Sequence, residues 1–234
     1  MKGLKGLELY ISKAIGRVIM DYEMLKDNDK ILVAVSGGKD SITLLHFLNL
    51  RRRFTPIKYQ LLAVYVDLGY QNNIDKLIKY FESLGIDYHI EKVEFSDQNK
   101  SCFWCSWNRR KALFKLADRL GYNKIALGHH KDDIVETILL NLFFNGEISS
   151  MKPKQELFEG NLTIIRPLAY VEERLIIKFC KDKNLPYLEN NCPNAKNSKR
   201  LLIKNIVKNL EKICPDVKTN IFRAIKRIRK DYIL

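Results

Sequence analysis

Residues 31–45 read ILVAVSGGKDSITLL: an apolar, β-type run stops at Ser36-Gly37-Gly38, and a run with helical spacing begins at Lys39. The spacing predicts a strand, a tight turn over 36–41, and a helix. Two adjacent glycines let backbone N–H groups approach a ligand, and the helix start adds unpaired N–H groups and a positive dipole end. Such a turn binds phosphate. The Walker-A spacing G-x-x-x-x-G-K-[ST] is absent, which argues against an ordinary P-loop.

Outward from this turn, helical and strand patterns alternate. A leading helix over 7–25 precedes the first strand, within a leading segment 1–29. The helix after the turn ends in the basic run Arg51-Arg52-Arg53 and carries His46, read as packed or at the solvent edge. Strand and helix follow at 59–66 and 74–84. A third strand covers 86–93, with His89 as a structural residue. A polar loop leads to Cys102, and a helix covers 106–120. A short strand at 124–127 runs into Gly128-His129-His130-Lys131-Asp132-Asp133 and a helix over 134–144. Residues 146–160 read as a long polar connection of the kind that forms a flap. A strand at 162–165, a helix at 172–183, and two basic helical segments split at Cys214-Pro215 complete the chain. This alternation predicts an α/β, Rossmann-like parallel sheet with helices on both faces, with ligands at the carboxyl ends of its strands. Ser36, Asp67, Cys102 and His129 each follow a strand and are expected at one rim. We expect a single domain over 1–234, in which 184–234 is a basic, cysteine-bearing loop with C-terminal helices.

The charge narrows the partners. Lys and Arg number 41 against 27 Asp and Glu, a net of +14. From 196 to 234, twelve basic residues face three acidic ones, a net of +9, which suggests a polyanion-binding face. No apolar stretch approaches the roughly 20 residues that span a bilayer, so a soluble, cytoplasmic protein is expected. Five cysteines, an odd number that includes one C-x-x-C pair, favour ligation or redox chemistry over a disulfide framework. Cys102 and Cys105 can ligate one metal atom or cluster at a helix start that favours thiolates. A third thiol comes from Cys180, Cys192 or Cys214. Cys180 has core spacing, Cys214 lies between two helices, and Cys192 sits in a Pro- and Asn-rich loop. Three thiols suit a closed four-coordinate zinc site poorly and an iron–sulfur cluster with one open iron well.

Five motifs in order, S-G-G-K-D-S, the C-x-x-C followed by Arg109-Arg110, A-L-G-H-H-K-D-D, Arg166-Pro167-Leu168, and Cys192 with Arg200 eight residues on, resemble the tRNA 2-thiocytidine synthetases of the TtcA type. These are a subgroup of the PP-loop ATP pyrophosphatases, which cleave ATP between its α and β phosphates. The resemblance implies a [4Fe–4S] cluster on Cys102, Cys105 and Cys192, and adenylation of a cytidine C2 oxygen followed by its replacement with sulfur, with position 32 of the anticodon loop as the expected target. It implies ATP on Ala34, Ser36, Gly37, Gly38, Asp40, Ser41, Val66, Gly128 and His129, with Mg²⁺ near Asp40. Asp132 orients or deprotonates the nucleophile, and Asp133 either shares that work or caps its helix. Arg109 and Arg110 hold RNA phosphate, offset the cluster's charge, or are solvated surface. Arg200, Lys226, Arg227, Arg229 and Lys230 are further RNA-binding candidates. The sulfur donor is expected to be a cysteine desulfurase or free sulfide, and the assembly a homodimer. Three other readings stay open on the residues: thiolation of another nucleoside such as a 2-thiouridine, an ATP-dependent amidase or ligase with structural zinc, and an RNA-binding protein that keeps ATP as a structural ligand.

Overall fold

The computed structural model describes residues 3–69, 74–93, 102–188 and 199–232. Strands β1 (Asp29–Ala34), β2 (Tyr59–Asp67), β3 (Asp87–Lys92), β4 (Lys124–Ala126), β5 (Lys154–Leu157) and β6 (Leu162–Ile165) form one sheet in the order β3-β2-β1-β4-β6-β5. All neighbours are parallel except β5, which runs antiparallel to β6. The central strands are apolar runs because both of their faces are covered; in β2, residues 61–66 are all buried.

Helices α1 (Gly6–Asp21), α2 (Lys39–Arg51), α3 (Asp75–Leu84), α5 (Lys131–Asn145) and α6 (Glu173–Asp182) contribute to one apolar core with Ile31 and Val33. Helix α4 (Cys102–Leu120) covers the opposite face, where Leu113, Leu116 and Ala117 meet Leu32, Val64 and Ile125. Local spacing explains which face each helix buries. In α6 it is Ile176, Phe179 and Cys180, at positions i, i+3 and i+4. The core position expected for Cys180 is found, with Thr43 Oγ1 at 3.1 Å. Helices α7 (Lys199–Ile213) and α8 (Val217–Ala224) dock on α5 through a separate cluster of Val135, Leu139, Ile203 and Val207. Full burial of Ile203 and Val207 contributes about 1.5–3 kcal/mol each.

Two expectations are corrected. The connection over 146–160 is not all loop: it holds β5 and a 3₁₀ turn, Phe158–Gly160, so the sheet is mixed. Lys154-Gln155-Glu156-Leu157 is a short, polar edge strand paired on one side only, and it lacks the alternation that marks a half-buried strand. Helix α4 also begins four residues earlier than its spacing suggested, so Cys102 and Cys105 lie inside its first turn. His46 packs in the α1–α2–α3 core, with Nδ1 3.1 Å from the Tyr80 hydroxyl, and His89 pairs with Glu91 on β3 at 2.8 Å. No described helix is long and apolar enough to cross a membrane.

Candidate active site at the sheet rim

Strand order reverses between β1 and β4, so their carboxyl ends open a crevice. The turn after β1 fills it. Gly37 has φ +84°, a conformation that favours glycine, and Gly38 caps α2. Ser41 Oγ donates to the Gly38 carbonyl at 2.9 Å and accepts from the Ser36 N–H at 3.2 Å, so the loop holds its shape through its own two serines. From β4's side Gly128 presses on the loop: a Cβ there would lie 3.0 Å from the backbone of Asp40 and Ser41. The carbonyl of Gly37 accepts from the Leu188 N–H at 2.8 Å. That bond ties the loop to the chain leading towards Cys192, which lies outside the described residues.

Charged groups crowd the start of α2. Lys39 Nζ lies 3.1 Å from Asp40 Oδ2 and 3.0 Å from Glu173 Oε1. Burial opposes its charge, but the two carboxylates outweigh burial and raise its pKa. Asp40 Oδ1 is buried and makes no hydrogen bond, although His130 Nε2 stands 3.7 Å away. An orphaned carboxylate oxygen beside a phosphate turn suits a hard cation such as Mg²⁺. His130 caps α5: its ring accepts from the Asp133 N–H, and Asp133 Oδ2 accepts from the His130 N–H at 3.0 Å. The capping role weighed for Asp133 is thus present. Asp133 also meets Arg200 Nη2 at 3.1 Å, and Arg200 Nε donates to Glu136 at 2.8 Å. Both oxygens of Asp132 are engaged, Oδ2 by the Glu173 N–H at 2.8 Å and Oδ1 by Lys218 Nζ at 2.6 Å. The carboxylate with an open oxygen at this site is therefore Asp40.

Across the rim, Cys102 and Cys105 stand in the first turn of α4, at its positive end; the placement of the Cys102 side chain lies outside what the structure describes. Among the described residues no group of three His, Cys, Asp or Glu side chains is placed to hold a metal ion. Arg109 and Arg110, exposed on α4, face different groups: the charge of Arg109 acts on Tyr65 of β2, and that of Arg110 on Arg166, which follows β6. Val66 is buried at the end of β2, and Ala34 is half-buried at the end of β1. His129 Nδ1 accepts from Arg166 Nε at 3.3 Å. Burial, ahead of the repulsion from Arg166, Arg200 and His130, lowers the His129 pKa to about 4 against the pull of Asp133, so the ring is neutral at pH 7.

The tail residues lie apart. Lys226, Arg227 and Arg229 are exposed beyond α8, with Lys226 Nζ 4.3 Å above the Tyr22 ring and Arg229 6.0 Å from that of Tyr232. Lys230 opens a 3₁₀ turn. Sequence reading passed over Lys39, Glu173 and Leu188, and took Arg166 only as part of a motif without a role. Lys39 stood inside the phosphate-turn motif and could have been named, whereas Glu173 and Leu188 are brought in by packing.

The model of the PP-loop domain matches residues 8–211. A tRNA-cytidine(32) 2-sulfurtransferase of Geobacter sulfurreducens is 41% identical over 96% of this chain and 91% of its own length. One from Polynucleobacter necessarius is 37% identical, over 97% of this chain and 79% of the relative. Among solved structures, the U34-tRNA thiolase NcsA of Methanococcus maripaludis, with its [4Fe–4S] cluster, superposes with a TM-score of 0.79 at 25% identity, covering 97% of this chain and 80% of that one. Matched by that domain over most of its length and 37–41% identical to these sulfurtransferases across nearly the whole chain, the chain belongs to the tRNA 2-thiocytidine synthetase family of PP-loop ATP pyrophosphatases.

Proposed function

We propose that this protein thiolates tRNA, using ATP to activate the C2 oxygen of a cytidine, at position 32, and exchanging that oxygen for sulfur. The observation that carries the reading is the placement of a phosphate turn after β1 and a thiol pair at the start of α4 on one sheet rim. The turn at Ser36, Gly37, Gly38 and Ser41 receives the phosphates of ATP on backbone N–H groups. Lys39 moves from Glu173 towards the departing pyrophosphate. Asp40, whose Oδ1 makes no hydrogen bond, would hold Mg²⁺, which would offset the charge of the phosphates. The adenosine lies over Ala34, Val66, Gly128 and His129.

The cytidine C2 oxygen attacks the α phosphorus. The bond to pyrophosphate breaks, and C2 now carries an adenylated oxygen. A sulfide sulfur then bonds to C2, the C2–O bond breaks, AMP leaves with the oxygen, and one proton is shed to give the 2-thio base. Cys102, Cys105 and Cys192 would hold a [4Fe–4S] cluster, which would supply an open iron able to bind sulfide. The sulfur donor is a cysteine desulfurase or free sulfide. Asp132, tied to Lys218 and the start of α6, orients the region through α5 and α6 and is assigned a positioning role.

A single comparison tests the target. Nucleosides from tRNA of a deletion strain should lack 2-thiocytidine and no other thiolated base. Loss of a 2-thiouridine instead would move the assignment to the nucleoside class named for the NcsA relative.

A further inference from the structure

The ammonium of Lys39 is shared between two carboxylates that are held very differently. Asp40 is its chain neighbour on α2. Adjacent residues of a helix do not face each other, so the 3.1 Å contact with Asp40 Oδ2 requires the lysine to fold back along its own turn. Glu173 belongs to another element, α6, and meets the same Nζ at 3.0 Å.

Glu173 is firmly anchored. Its backbone N–H donates to Asp132 Oδ2 at 2.8 Å, and Asp132 Oδ1 is held in turn by Lys218 of α8 at 2.6 Å. Its second carboxylate oxygen, Oε2, meets Lys204 of α7 at 2.6 Å. It also opens α6, where the positive end of the helix favours an acid. Burial opposes the charge of Glu173, but Lys204 and Lys39 outweigh burial and hold its pKa at about 2. When Lys39 departs, Lys204 stays, so Glu173 keeps a counterion in both states.

Asp40 has no such anchorage, and its Oδ1 makes no hydrogen bond. Without the charge of Glu173 the ammonium would turn wholly to Asp40 and neutralise the carboxylate whose oxygen stands open beside the phosphate turn. We propose that Glu173 is a positioning residue of the ATP-cleaving step: anchored through Lys204 and Asp132, it holds Lys39 beside the phosphate turn and keeps Asp40 from taking the ammonium alone, until pyrophosphate does. This deepens the tRNA-thiolation reading given above and rests on it.

The test is tRNA-dependent release of pyrophosphate from ATP by the anaerobically reconstituted full-length protein, with ATP-analogue binding and a thermal melt alongside. The variants are Glu173→Gln, Glu173→Ala, Lys39→Gln and the Lys39→Gln/Glu173→Gln double. Glu173→Gln keeps the shape and a hydrogen-bond acceptor but not the charge, and should lower kcat on the order of tenfold. Glu173→Ala removes both and should lower it on the order of 100-fold. KM for ATP and analogue binding should stay unchanged or tighten, because a negative charge near the phosphates is gone. In the Lys39→Gln background the further loss from Glu173→Gln should vanish, since Glu173 acts through that lysine. Weaker analogue binding with an unchanged kcat would make Glu173 a contributor to uniform ATP binding and overturn the proposal. Losses that multiply in the double variant would overturn it too, by giving Glu173 a role independent of Lys39. Glu173→Gln preserves volume, so it keeps the test decisive if Glu173→Ala does not fold. A wild-type protein that releases no pyrophosphate with tRNA would instead overturn the reading on which the proposal rests.

Discussion

Gly128 shows how little space the phosphate turn leaves. Its absent side chain lets β4's exit pack against the backbone of Asp40 and Ser41, 3.0 Å from where a Cβ would stand. Because those atoms are backbone, Gly128→Ala must shift the turn itself. We expect it to lose about 1–3 kcal/mol by chemical denaturation and about tenfold or more in ATP turnover. His129 gives a pH signature. Its pKa in the folded protein, about 4, lies below the ordinary 6.5, so between those values the unfolded chain takes up a proton that the folded one refuses. Stability from this group is full above pH 6.5 and falls as pH drops towards 4, by about 2 kcal/mol from pH 7 to pH 5. His129→Gln should flatten that fall in urea titrations at the two pH values. At this scale the sequence was most legible where chemistry is local. S-G-G-K-D-S announces a phosphate turn because two glycines, a lysine and two serines that bond within the loop act within six residues. The engagement of Asp132 depends on Glu173 and Lys218, which are distant in the chain, and that of Arg166 on Lys152 and His129, none of which a local pattern reveals.

Elements of strong periodicity were legible, and weak ones were not. Helices α3 and α6 declare themselves by apolar spacing, whereas β5 has four mostly polar residues and is a strand only because β6 offers it an edge. Helix α7 was visible as a basic amphipathic segment, but its anchorage was not. Arg200 read as an RNA ligand; it spends its guanidinium on Asp133 and Glu136 of α5. Burial already raises the Glu136 pKa, and Arg200 offsets part of that rise. Arg200→Ala strands this buried carboxylate and should cost about 1–2 kcal/mol, less than a fully buried pair because Arg200 is 45% exposed. Adding Glu136→Gln should restore most of it, and a double-mutant cycle by urea denaturation checks the coupling. The anchorage matters for chemistry because Arg200 and Leu188 fix the two ends of the stretch that includes Cys192, at α5 and at the phosphate turn.

Over the whole molecule, charge and topology divide the work. The sheet gathers the turn after β1, the loop after β4 and the start of α4 at one rim, while the net charge of +14 is concentrated after residue 195. Neutralising Lys226, Arg227, Arg229 and Lys230 together should weaken tRNA binding and make its salt dependence shallower, each lost phosphate contact removing about 0.7–0.9 from the log–log slope. An unaltered slope would mark this tail as ordinary solvated surface. The central claim, that the phosphate turn and the thiols form one thiolating site, is tested most directly by nucleoside mass spectrometry of tRNA treated with anaerobically reconstituted protein, Mg²⁺, sulfide and ATP. The account predicts 2-thiocytidine at position 32 with one AMP formed per thiolated base, and loss of the product in Asp40→Asn, Cys105→Ser and Cys192→Ser proteins. Thiolation that persists without ATP, or in both cysteine variants, would contradict it.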